Sequence, residues 1–337
     1  MLLPFINIKH PAVCERAVAR IAKLADLMAS SSSVQVWSLL GHDHSSSHHD
    51  ISKDCLLGQL LGRLIVCWTS KIWAIQQEAL VALHHLSIFI QHQKCMTSPQ
   101  PDNCHDHPEH PQAGGKREAG KPSCLSLCST RSMAKAFGEY LHPADKTVII
   151  LRAIQAMRDP CVCDKEELIS ILNVAMTEPA SWLTEVRIIT RCIYNNLQHI
   201  SAASARCSLK SLFLSMAQQK PREMILSLID ISPACNSKVA QAMWEALLSQ
   251  PLILVKVLRE LRRNLQHLQL RIRHGFCRVK FCIRLLALLA CSDVTPEEFA
   301  GVYNREKFPW CQNVVLFSLT LTGLITLSQS PDTVSRA

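Results

Sequence analysis

The stretch PREMILSLIDISPACNSKVAQAMWEALLSQPLILVKVLRELRR, residues 221–263, decides the fold. It reads as three helical segments in a row, each set off by proline. Pro221 and Pro251 stand where the first turn of a helix tolerates a missing N–H. Between them Val239, Ala242, Met243, Ala246 and Leu247 recur at helical spacing and share a face. Trp244 lies beside that face, large enough to anchor a neighbouring helix. A short helix that is apolar on more than one side must bury both sides. Stacked helical pairs do this, each layer covering the next.

The rest of the chain repeats the pattern. Pro11 opens a helix to residue 29, with Val13, Ala17, Ile21, Leu24 and Met28 as its apolar stripe. Residues 55–94 read as a helical hairpin broken at Thr69 and Ser70, with Leu56, Leu60, Leu64 and Cys67 on one arm. Ile75, Ala79, Ala82, Leu86 and Ile90 line the other. Pro143 starts the next helix, and segments 165–176, 182–200 and 203–218 follow it. Helices are also expected over 279–292 and 311–328, and between them Asp293, Thr295, Pro296, Glu297 and Glu298 give helix-start chemistry, a cap candidate, an early proline and first-turn acids. The fold class expected is all-α. It is a HEAT/armadillo-like α-α superhelix, a solenoid of pairs about 40 residues long.

Residues 97–123 interrupt the array. Five prolines, three glycines and almost no apolar residues cannot bury enough surface to offset the entropy of ordering. The organisation expected is N-terminal repeats over 1–96, a disordered Pro/His/Gly-rich linker over 97–123, C-terminal repeats over 124–330 and a tail over 331–337.

Composition bounds the function. Among 337 residues there are only 10 glycines, and aromatic content is 5%, against a turn-rich β architecture. The start, MLLPFINIKHP, makes a poor secretory signal. The uncharged run 311–330 carries too many polar residues for a membrane span, so none is expected. Sixteen cysteines without a repeating framework read as reduced thiols, which places the protein in the cytoplasm or the nucleus.

The wording of several segments resembles the maestro heat-like repeat family. They are HPAVCERAVARIAKLADLMASSSS (10–33), LGQLLGRLIVCWTSK (57–71) and EALVALHHLSIFI (78–90). AFGEYLHPADKTVIILRAIQAMRD (136–159), MTEPASWLTEVRIITRCIYNNLQHIS (176–201), LLALLACSDVTPEEFAGVY (285–303) and GLITLSQSPDT (323–333) continue the match. The resemblance implies an α-helical repeat fold, no known catalytic activity and no catalytic residues to carry over. Family members can be much longer, so a short paralogue or a partial product is expected. Segments 42–50 and 98–123 match nothing in the family, and RIRHGFCRVKF (271–281) is more basic than the usual connection there.

The basic residues Lys256, Arg259, Arg262, Arg263, Arg271, Arg273, Arg278, Lys280 and Arg284 are the sharpest local feature. Against them stands one acid, Glu260, so residues 252–284 carry +8 of the chain's formal +9. Such a cluster could hold a phosphate backbone or an acidic partner segment, with His274 and Phe276 adding stacking. The plainer reading is a solvated helix face and a flexible loop.

Histidines group at His42, His44, His48 and His49, and again at His105, His107 and His110 near Cys104. A structural zinc site wants four ligands at fixed spacing on an ordered frame, which neither group offers. Cys161 with Cys163, and Cys124 with Cys128, read as ordinary thiols near helix ends. No metal and no cofactor are expected. The chain contains no G-x-S-x-G, no G-x-x-x-x-G-K-[ST] and no H-E-x-x-H. The function expected is therefore a non-enzymatic HEAT-repeat scaffold that binds protein partners along its concave face. The alternative is a solenoid that holds nucleic acid through the basic cluster.

Overall fold

The computed structural model describes residues 3–6, 10–30, 55–97, 128–159, 165–265, 281, 284 and 285. Among these the regular structure is helical, with no strand. The chain divides into two compact units, Met1–Lys146 and Thr147–Ala337.

In the first unit a 3-10 turn, Leu3–Phe5, precedes α1 (Pro11–Ser30), α2 (Leu56–Trp68), α3 (Trp73–Thr97) and α4 (Cys128–Tyr140). Helix α5 (Pro143–Met157) begins in this unit and carries the dividing point. Helix α3 is the hub: α1, α2 and α4 all pack on it. It can be the hub because it is apolar on several sides, burying Ile75, Ala79, Ala82, Leu83, Leu86, Phe89 and Ile90. Helix α4 lies in the first unit and packs on α3.

Two stripes are rotated from expectation. On α1 the buried residues are Cys14, Ala17, Val18, Ile21, Ala22 and Ala25, while Val13 and Leu24 are exposed. The small residues of α1 are buried where this helix packs on α3, and the larger Leu24 is turned outward. On α2 the inward residues are Leu57, Leu61, Leu64 and Ile65 rather than Leu56 and Leu60. Leucine doublets satisfy either rotation, so periodicity alone does not choose between them.

Helix α2 begins without a local cap, since Cys55 makes no side-chain hydrogen bond there. Its third residue, Gly58, instead donates its N–H to Asp145 Oδ1 at 2.8 Å. Asp145 sits in the first turn of α5, so one buried carboxylate lies at the positive ends of two helices. Only glycine fits this approach. A Cβ at Gly58 would lie 2.7 Å from Asp145 Cα and 2.8 Å from its carbonyl oxygen.

The second unit continues with α6 (Glu166–Thr177), the single turn α7 (Pro179–Trp182), α8 (Val186–Leu197), α9 (Ala203–Gln219), α10 (Pro221–Ile231), α11 (Lys238–Leu248) and α12 (Pro251–Leu265). Pro179 and Pro221 stand in first turns, and Pro251 opens α12 as expected. Every second long helix packs on the one before last. Helices α8, α10 and α12 form one row and α6, α9 and α11 the other, with α8–α9, α9–α10 and α11–α12 contacts joining the rows. This is how helical repeats share a core.

Trp244 is fully buried at the centre of the α11 stripe, with Ala240, Met243, Ala246, Leu247 and Leu248. Val239 is half-buried and Ala242 exposed, so the stripe is centred on the tryptophan rather than beside it. The Trp244 ring meets Phe281 edge-on, with centroids 5.5 Å apart. Phe281, Arg284 and Leu285 are helical, within the helix expected over 279–292. The linker beyond Thr97, the helix expected over 311–328 and the tail lie outside the described residues.

Candidate partner-binding surface

The rows are stitched by polar contacts 34–43 residues apart in sequence. Arg187 of α8 pairs with Asp230 of α10 at 2.7 Å, 43 residues away. Tyr194 donates to Ser237 Oγ at 2.9 Å, again 43 residues away, and Ser237 accepts the N–H of Ala240 to cap α11. Lys220 reaches the Thr184 carbonyl 36 residues back, and Thr190 donates to Met224 Sδ 34 residues ahead. Offsets of 34–43 residues are one helical pair.

The basic residues fall mainly on and after α12. Lys256, Arg259 and Arg263 follow one another at intervals of three and four along this helix, so they share a side. The opposite side buries Ile253, Leu254, Val257, Leu258 and Leu261. Lys256 Nζ donates to the Gln218 carbonyl at 3.4 Å, at the negative C-terminal end of α9. Arg263 Nη1 bonds Glu260 Oε1 at 3.0 Å, and its side chain remains 68% exposed. Arg259 is half-buried. Arg262 lies in the same helix, one residue before Arg263.

Arg284 is drawn inward. Its Nη1 donates at 3.0 Å to the carbonyl of Cys235, whose φ of 47° places it in the left-handed region. Burial pushes the Cys235 thiol up to about 11, and the Arg284 charge opposes that shift. Lys256, Arg263 and Arg284 bond to carbonyl or carboxylate oxygens of the fold, and Arg263 keeps most of its surface in water. Arg271, Arg273, Arg278 and Lys280, with His274 and Phe276, lie outside the described residues.

Both histidine groups, Cys104, Cys124, Cys161 and Cys163 also lie outside them. Among the described residues no three His, Cys, Asp or Glu side chains come together to hold a metal. Among them no helix is long and apolar enough to cross a membrane. The tandem pair Arg187 and Arg191, both exposed on α8, was not singled out in the sequence. Their spacing of four on a helix was the available signal, and it is a common one.

Two rows of helices with polar contacts 34–43 residues apart define a helical-repeat protein of the α-solenoid type. The family model described as Maestro, HEAT repeats matches residues 14–258. The chain belongs to that family, as the resemblance of its segments implies. No curated protein and no solved structure matches the chain.

Proposed function

We propose that this chain is a non-enzymatic scaffold that docks protein partners along its rows of stacked helices. The observation that carries the proposal is the row architecture of a HEAT-repeat family member, with α8, α10 and α12 packed in one row and contacts one repeat apart tying α8 to α10 and to the cap of α11. Repeat arrays of this kind present extended surfaces and place few demands on any single residue. A reducing compartment, cytoplasmic or nuclear, suits a chain of sixteen cysteines whose described members are thiols.

The nucleic-acid reading rests on the charge of residues 252–284 and on the exposure of Arg263. It is weakened by the internal contacts of Lys256 and Arg284, since a cation bound to a protein carbonyl must leave it to neutralise a phosphate. Capture of the tagged chain from extract, with and without nuclease, tests the two. Partners that survive nuclease and the replacement of Arg262, Arg263, Arg271 and Arg273 by Glu support the scaffold. Loss under both treatments, with direct binding to RNA or DNA that weakens steeply with salt, overturns it.

A further inference from the structure

The thiols of Cys14, in α1, and Cys67, in α2, face each other with their sulfurs 3.6 Å apart. Both residues are fully buried, and they lie 53 positions apart in sequence. A disulfide bond is about 2.05 Å long, so closure needs the sulfurs to move together by only about 1.5 Å. Both helices already pack on α3, which holds the two cysteines in this register.

We propose that Cys14 and Cys67 form a modification site, converted by a small disulfide of the glutathione class into a protein disulfide that locks α1 to α2. Access comes from the helix end. Cys14 is the fourth residue of α1, at the end of the turn that frays first. In the closed fold the contact with Cys14 and burial both raise the Cys67 thiol, so it stays protonated, while Arg63 one turn earlier opposes them. The pair is therefore inert until the first turn of α1 lifts.

The chemistry then balances. The opened Cys14 thiol loses its proton to solvent and attacks one sulfur of glutathione disulfide. A protein–glutathione bond forms and one glutathione thiolate leaves. As the turn closes, Cys67 gives up its proton and attacks the Cys14 sulfur. The Cys14–Cys67 bond forms and the second glutathione leaves. Two protein thiols lose two electrons, and glutathione disulfide gains them to give two glutathiones. Removal of the covalent glutathione from a fully buried pocket favours this second step over a stable mixed disulfide.

The test uses the full chain, reduced and native, in buffers of rising oxidised-to-reduced glutathione. Samples are alkylated, digested without reductant and read by mass spectrometry. The expected result is a Cys14–Cys67 cross-linked peptide as the leading intrachain disulfide, with unchanged far-UV circular dichroism and reversal by dithiothreitol. The oxidised chain should melt several degrees higher, and Cys14→Ser should lose that shift. Alkylation of both thiols at the oxidising end overturns the proposal. So does pairing of either with another cysteine, or a cross-link that appears only as helical signal is lost. The wild-type mapping needs no variant, so an unstable Cys14→Ser leaves the test decisive.

Discussion

Replacing Gly58 by alanine should destabilise the N-terminal unit, although the same change in an exposed helix stabilises by about 1 kcal/mol. The new methyl would meet backbone, not a flexible side-chain end: Asp145 Cα at 2.7 Å and its carbonyl oxygen at 2.8 Å. To relieve the contact, α2 must move away from the start of α5. That lengthens the 2.8 Å bond from the Gly58 N–H to a buried carboxylate. Crowding of this kind costs about 1–3 kcal/mol. A buried hydrogen bond to a charged group contributes about 1.5–3 kcal/mol. Set against the propensity gain, the net loss is roughly 3 kcal/mol. Urea unfolding followed by tryptophan fluorescence, with Trp68 buried at the end of α2, reads the effect. Hydrogen exchange of residues 56–68 should rise in parallel. A variant within about 0.5 kcal/mol of wild type, or above it, refutes the reasoning, because surface-like changes fall in that range.

Further outcomes follow from the same geometry. Asp145→Ala should cost more than Asp145→Asn by urea unfolding, because an asparagine oxygen can still accept the Gly58 N–H. Trp244→Ala should cost about 3–5 kcal/mol by the same assay, since a fully buried ring and its contact with Phe281 are both lost. Arg263→Glu should shift stability by less than about 1 kcal/mol, because a pair with one partner 68% exposed is well screened. Near pH 6.5 the fold should also lose stability on acidification. Burial and then the neighbouring His85 lower the His84 pKa, so the unfolded chain binds its proton at higher pH than the folded chain. Stability then falls from about pH 6.5 towards the depressed folded value, and His84→Gln should flatten that slope.

Helix positions were legible because proline marks their starts and apolar residues recur along them. Pro11, Pro143, Pro221 and Pro251 all open helices. The row packing was legible only as a class, since stacking order depends on which faces meet. Rotation failed where the sequence is degenerate. The doublets Leu56–Leu57 and Leu60–Leu61 fit two faces equally, and only packing on α3 selects Leu57 and Leu61. On α1, size decided against hydrophobicity: alanines face α3 and Leu24 faces water. The Gly58–Asp145 cap was invisible because the two residues lie 87 positions apart, with no motif to connect them. The basic cluster was legible as charge, but the contacts of its members were not. Nothing local in the sequence announces that Arg284 bonds a carbonyl 49 residues back.

The contact offsets also set a schedule for synthesis. A ribosome adds about 5–20 residues per second, so contacts 34–43 residues apart are separated by roughly 2–9 s of elongation. Each layer of the second unit can close soon after its successor emerges. The start of α2 waits longer, because its cap arrives 87 residues later, roughly 4–17 s at the same rate. The apolar face of α2 is covered earlier, as α3 emerges, so over that interval the helix lacks only the cap at its start.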